Sequence, residues 1–165
     1  MLLGILSDTH DRIPRTRRAV AALIDRGAQA LIHCGDLTTA EVVLACGGAV
    51  PISFVYGNND DDREGLAEAI RSIGGTLLGD GGTITLAGRR IAVTHGDSIR
   101  EVNRLAYTSP DYLLYGHSHI AADERRGATR WINPGALHRA RRFSVAVLDL
   151  AADTLEFVPI DDTAA

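Results

Sequence analysis

The chain of 165 residues is 45% hydrophobic and 23% charged, the size and mixture of one compact domain rather than a two-domain enzyme. Its net charge is -4, and all its basic residues are Arg, with no Lys, a balance that argues against generic nucleic-acid binding. Cys34 and Cys46 form neither a CxxC pair nor a zinc-ribbon spacing, so free thiols in a reducing cytoplasm are expected instead of a disulfide scaffold.

Met1 to Leu6 is apolar over too few residues to cross a membrane, lacks a basic leader and runs into Asp8, so it reads as a first strand, Leu2 to Leu6. A helix follows over Pro14 to Arg26, with Ala19, Ala22 and Leu23 at helical spacing. The unit recurs as a strand at Ala30 to His33 with a helix at Thr39 to Ala45. It recurs again as Ile52 to Tyr56 with Asp61 to Ile73, closed by Gly74 and Gly75. Three such units predict a parallel sheet. Beyond Gly82 the spacing predicts a hairpin of Thr83 to Leu86 and Arg90 to Thr94, then a short helix over Ser98 to Ala106. Strands follow at Tyr112 to Tyr115, Thr129 to Ile132, Phe143 to Leu150 and Thr154 to Ile160. About nine strands in one domain spanning 1–165 imply two packed sheets in an α/β fold.

Five predicted strands end in polar residues able to bind metal: Asp8-Thr9-His10, Gly35-Asp36, Gly57-Asn58-Asn59-Asp60, His95-Gly96-Asp97 and Gly116-His117-Ser118-His119. Ligands of open α/β sheets bind outside the carboxyl ends of the strands, where such loops converge. Singly, these segments read as an N-cap region, an Asn-rich turn or surface histidines. Jointly they gather four of the six histidines beside Asp and Asn, which favours a metal site. Spacing of i, i+2 in Asp8/His10 and His117/His119 turns both side chains of an extended stretch one way. The set Asp8, His10, Asp36, Asn58, His95, His117 and His119 offers oxygen and imidazole but no thiolate, which suits Mn first, with Fe, Zn or Ni also fitting. Seven ligands exceed one four-coordinate ion and suit two, with a carboxylate between them. Two dications, two carboxylates and a bridging hydroxide keep about one positive charge, which attracts an anionic phosphate ester.

In order and interval, DxH, GD, GNxD, HG and GHSH resemble the calcineurin-like metallophosphoesterase superfamily over residues 8–119. The short chain and the Asn133-Pro134-Gly135 turn resemble its small YfcE-like phosphodiesterases over nearly the whole length. The resemblance implies a two-sheet, four-layer α-β-β-α sandwich and a binuclear, metal-dependent phosphodiesterase. It assigns Asp8, His10 and His119 to one metal, Asn58, His95 and His117 to the other, and Asp36 to both, with Asp36, Asn58 and His95 closest to the chemistry. Two departures stand out. Asn59 replaces the His that protonates the leaving group in many members and cannot be a general acid near neutral pH, so good leaving groups are expected to react best. Leu37-Thr38-Thr39 lacks the second, supportive Asp of the longer GDxxD form.

Arg12, Asn59 and Arg139 are the candidates for substrate contact, with Arg141 and Arg142 in the same basic stretch, whose simpler reading is a solvated face. Arg15, Arg17 and Arg18 read as the exposed face of the first helix. His33 is expected to support the site by hydrogen bonding, Cys34 to be buried and unreactive, and Asp11, Asp60 and Asp97 to orient ligands or cap helices. Tyr107 and Tyr112 flank Pro110 and are expected in the core, with a shallow pocket as the other reading. The expected partner is a small-molecule phosphate ester, with no membrane; a homo-oligomer is compatible with the chain. Phosphomonoester hydrolysis, on nucleotides or sugar phosphates, is the alternative within the same chemistry. A non-catalytic interaction scaffold, the use a retromer subunit makes of this fold, is the alternative outside it, and seven filled ligand positions speak against it. A di-iron redox centre is disfavoured, because those bundle sites draw ligands from helices.

Overall fold

In the computed structural model, residues 1–161 are described, so the last four of the expected 1–165 domain lie outside the described residues. The elements run β1 (Leu2–Leu6), α1 (Ile13–Asp25), β2 (Ala30–His33), α2 (Ala40–Cys46), β3 (Ile52–Phe54), α3 (Arg63–Ser72), β4 (Thr76–Leu77), β5 (Gly81–Leu86) and β6 (Arg89–Thr94). They continue α4 (Ile99–Tyr107), β7 (Tyr112–Leu114), β8 (Ala122–Arg126), β9 (Thr129–Asn133), β10 (Ser144–Asp149) and β11 (Thr154–Pro159). One sheet has the order β11-β10-β1-β2-β3-β4, the other β5-β6-β7-β9-β8. β1 to β4 are parallel, with β10 and β11 antiparallel on one side of them, and β6, β7 and β9 are parallel between the antiparallel edges β5 and β8.

The alternation of side chains sorts the core into three layers. From β1, Leu3 and Ile5 enter the space between the sheets with Ile32 of β2, Ile91 and Val93 of β6, Leu114 of β7 and Leu148 of β10. Leu6, Leu31, Phe54 and Val145 point the other way and meet Leu23 of α1, Val42 of α2 and Ile70 of α3. On the far side Ala92 and Leu113 meet Leu105 of α4. The four expected layers are therefore present, α1 to α3 outside one sheet and α4 outside the other. Central strands buried on both faces explain why they read as unbroken apolar runs. No helix among the described residues is long and apolar enough to cross a membrane.

Two helices, α3 and α4, start where short polar side chains take up free N–H groups: Asp62 accepts from Gly65 N at 3.0 Å and Ser98 from Glu101 N at 3.4 Å. None of Asp11, Asp60 and Asp97 caps a helix. Two strands escape the sequence pattern. β4 has two residues, held by pairing to β3. β8 is an exposed charged edge, Ala-Asp-Glu-Arg-Arg, whose Asp123 receives Arg130 of β9 at 2.8 Å through both guanidinium contacts. Charge on an edge strand discourages pairing with other chains and erases the hydrophobic alternation by which strands are read. Arg15 departs from the expected exposed face of α1: it is half-buried, donates to Leu137 O and lies over the Phe143 ring at 3.6 Å. Tyr112 packs in the core between the sheets, whereas Tyr107 is 92% exposed at the end of α4.

Candidate metal centre

The five polar segments leave β1, β2, β3, β6 and β7 at their carboxyl ends and meet at one edge of the two sheets. Backbone bonds tie the loops together. Asp8 N donates to Gly35 O at 3.0 Å, and Asp36 O accepts from Thr9 N and His10 N at 3.1 and 3.2 Å. Asp60 binds the second and third loops, accepting from Asp36 N (3.0 Å), Gly57 N (2.7 Å) and Thr38 N (2.7 Å). Two glycines permit the close approach. A Cβ on Gly57 would lie 2.1 Å from Asp36 Oδ1, and one on Gly116 would lie 2.0 Å from Ser7 Oγ and 2.7 Å from Asp8 Oδ2. Five of the seven candidate ligands adopt left-handed backbone, with φ of 54° at Asp8, 40° at His10, 59° at Asp36, 65° at His117 and 58° at His119. Such conformations are costly for non-glycine residues and are found where function demands a fixed side-chain direction.

Asp8 commits Oδ2 to Ser7 Oγ (2.6 Å) and His117 N (3.1 Å). Its Oδ1 has no hydrogen-bond partner and faces His119 Nε2 at 3.0 Å, His95 Nε2 at 3.9 Å and His10 Nε2 at 4.0 Å. Asp36 Oδ2 lies 3.1 Å from His10 Nε2 and 3.4 Å from His95 Nε2, between the two imidazoles. Two groups result in which every ligand atom is within 4.8 Å of the others: Asp8, His10 and His119, and Asp8, Asp36 and His95. Asp8 thus belongs to both groups, while Asp36 touches a histidine of each. Nε2 of His10 and of His95 are likewise buried without a hydrogen-bond partner. Three orphaned buried atoms shared between these two groups are what cations would satisfy, since buried polar groups otherwise have partners.

The tautomers agree with that use. His95 Nδ1 is 2.8 Å from Cys34 O, an acceptor only, so Nδ1 carries the hydrogen and Nε2 turns its lone pair to the carboxylates. Burial works against a charged His95, but the adjacent carboxylates of Asp36 and Asp8 outweigh it and raise the pKa to about 9. Burial alone would raise Asp36, yet the imidazoles of His10 and His95 beside it would, when protonated, hold its carboxyl well below the usual carboxylate range. A proton on His95 and a metal ion at the same place are therefore alternatives. His33 behaves as expected of a supporting residue. Its Nδ1 accepts from Gly35 N at 3.2 Å, and its Nε2 meets Thr9 Oγ1 at 3.1 Å, which passes a hydrogen bond to Asp36 O at 3.2 Å. Burial, aided by the neighbouring His95, lowers it to about 3 and keeps it neutral. Burial pushes the Cys34 thiol far up, as suits an unreactive core residue.

A cleft of about 390 Å³ lies over these atoms, lined by His10, Asp36, Asn58, Asn59, His117, His119, His138 and Arg139. Asn58 and His117 thus face the cleft, and the His117 ring stands 5.2 Å from that of His95. Asn59 turns inward: its backbone N–H and its amide donate to Asp36 Oδ1 and Oδ2 at 2.9 and 2.8 Å. Of the candidate substrate contacts, Arg139 lines the cleft, whereas Arg12 is exposed and donates from Nε to His138 Nδ1 at 3.2 Å. Asp11 accepts from Thr38 Oγ1, and Asp97 lines a separate hollow beside Asn58. Sequence reasoning missed His138, whose ring lies 4.7 Å from that of His10. Its place three residues beyond the Asn133-Pro134-Gly135 turn is the signal that points to it. Asn133 anchors that turn to the GHSH loop, donating to Gly116 O at 2.8 Å and Ser118 Oγ at 3.1 Å.

The family model of the calcineurin-like phosphoesterase superfamily domain matches residues 1–153. Phosphodiesterase MJ0936 of Methanocaldococcus jannaschii is 32% identical over 139 residues, covering 82% of this chain and 83% of that protein. Phosphodiesterase YfcE of Escherichia coli K12 is 26% identical over 152 residues, covering 83% and 79%. Among solved structures, one described as a novel archaeal phosphodiesterase superposes with a TM-score of 0.87 at 28% identity, covering 97% of this chain and all of the other.

Proposed function

Because this chain belongs to the calcineurin-like phosphoesterase superfamily, we propose that it is a phosphodiesterase working at a pair of divalent ions, manganese foremost, in one catalytic domain over 1–165. The observation that carries the reading is that Asp8 Oδ1, His10 Nε2 and His95 Nε2 are all buried and unpartnered, with the two imidazole nitrogens on either side of Asp36 Oδ2 and within 4.0 Å of Asp8 Oδ1. Asp8, His10 and His119 would hold one ion, Asn58, His95 and His117 the other, and Asp36, which faces both His10 and His95, would stand between them. Ions held there would supply an activated water as nucleophile and positive charge against the phosphoryl oxygens.

The protein's own part is to fix direction. Asp60 and Asn59 hold Asp36 from the backbone and carboxylate sides, Cys34 O holds the His95 tautomer, and Ser7 with His117 N holds Asp8. Arg139 lines the cleft as a cation for a non-bridging phosphoryl oxygen. With Arg12 Nε–H donating to His138 Nδ1, a neutral His138 carries its hydrogen on Nε2 and offers a donor to an ester oxygen. Asn59, spent on Asp36, offers no acid.

The test is hydrolysis of bis(4-nitrophenyl) phosphate by chelator-stripped protein reloaded with Mn, Fe, Zn or Ni. Metal-dependent release of 4-nitrophenolate that Asp36→Asn abolishes is the expected result. Equal rates in the variant and the parent would refute the mechanism. Running 4-nitrophenyl phosphate alongside separates diesterase from monoesterase activity.

A further inference from the structure

A second depression opens from the metal cleft and shares His119 and Arg139 with it. It encloses about 900 Å³ between the GHSH loop and the segment 139–144, over the outer strands β10 and β11. Its character differs from the cleft. Ile120, 69% exposed, and Phe157, 38% exposed, supply apolar surface, and Arg139, Arg141 and Arg142 supply charge. No carboxylate lines it, and none of these three guanidinium groups has an ion pair among the described residues.

We propose that this groove is the subsite for one ester arm of the substrate, and that it selects a flat, ring-sized apolar arm bearing a further negative charge. The inference rests on the phosphodiesterase reading and narrows its substrate class. A phosphoryl group seated over His119 and Arg139 has to send one arm past those residues, and the groove begins there. Planar guanidinium groups stack on rings and pair with carboxylate or phosphate, whereas Phe157 and Ile120 reward apolar contact. A small polar arm would leave both kinds of contact unused.

Single-arm monoesters test this whichever arm, leaving or retained, the groove takes. Methyl phosphate, phenyl phosphate and 4-carboxyphenyl phosphate are compared as competitive inhibitors of bis(4-nitrophenyl) phosphate hydrolysis. Their direct binding is measured by calorimetry on the metal-loaded protein. Affinity is expected to rise in that order, by about tenfold at each of the two steps and so by about a hundredfold from first to last. Phe157→Ala should erase the gain from methyl to phenyl, and the exposed pair Arg141→Ala/Arg142→Ala the gain from phenyl to carboxyphenyl. Inhibition by inorganic phosphate should stay as in the parent, which also shows that the variants are folded. Equal affinities of the three esters, with hydrolysis intact, would overturn the groove alone. Absence of any metal-dependent hydrolysis would overturn the phosphodiesterase reading and the groove with it. A dimer in sedimentation that Phe157→Ala dissociates would make the groove a contact between copies and refute the subsite.

Discussion

Asn59 grips Asp36 twice, its backbone N–H on Oδ1 at 2.9 Å and its side-chain amide on Oδ2 at 2.8 Å. Oδ2 is also the oxygen that faces His10 and His95. A residue that reads as a missing acid is therefore an orienting clamp. Asn59→Ala keeps the backbone bond and loses the amide, so Asp36 gains a rotational freedom that its ligand role does not tolerate. Loss of such an outer hydrogen bond weakens metal affinity about 10- to 100-fold. The expected result is weaker Mn binding in a calorimetric titration, with activity recovering at high Mn. Unchanged affinity would remove Asn59 from the site's support.

The state of His95 gives metal loading a pH dependence of definite sign. With its pKa at about 9 in the ion-free site, His95 is protonated at pH 7.5 and must give up that proton to present Nε2 to a cation. Loading is then expected to release protons and to weaken as pH falls. Titrations in buffers of differing ionisation enthalpy count the release, and His95→Asn should lower it by about one proton per chain. A count unaltered by that substitution would contradict the assignment.

His138 should matter most when the departing alcohol is poor. Its Nδ1 is taken by Arg12, which leaves Nε2–H for an ester oxygen in the cleft, a donor that a good leaving group hardly needs. His138→Ala is expected to cost about tenfold, the worth of one hydrogen bond to the departing oxygen, on a dialkyl diester, which must lose an alkoxide. It should cost only a few-fold on bis(4-nitrophenyl) phosphate. A uniform loss across leaving groups would mean that His138 serves only to position His10.

The layers were legible because each central strand is buried on both faces and each helix on one, which leaves apolar runs and helical spacing in the chain. Segments that end those strands in Asp, Asn and His were legible for the same reason: the strand tip is where the apolar run stops. What the residues could not show was the left-handed backbone that aims Asp8, His10, Asp36, His117 and His119, since nothing in an Asp or a His announces a positive φ. Nor could spacing reveal that Arg15 turns back onto Phe143, or that His138 stands beside His10, because both contacts join the first loop and the start of α1 to residues more than 120 positions away. β8 stayed hidden because it is held by its neighbour and by ion pairs, not by apolar burial.

His33 makes the fold itself sensitive to acid. Its folded pKa of about 3 lies below the unfolded value of 6.5, so the unfolded chain takes up a proton that the native state refuses. The stability it contributes is complete above pH 6.5 and is lost as pH falls from there towards 3. His95 acts the other way: raised to about 9, it contributes most below pH 6.5 and loses that contribution on rising through 9. The two can be separated by subtraction. Urea unfolding of chelated parent and His33→Gln at pH 7.5 and 5.5 should show the parent losing about 1.4 kcal/mol more than the variant over that interval. The variant will be less stable at both values, because Gly35 N and Thr9 Oγ1 lose the ring they bond to. Only the difference in slope carries the inference, and equal slopes would show that His33 titrates normally in the folded protein.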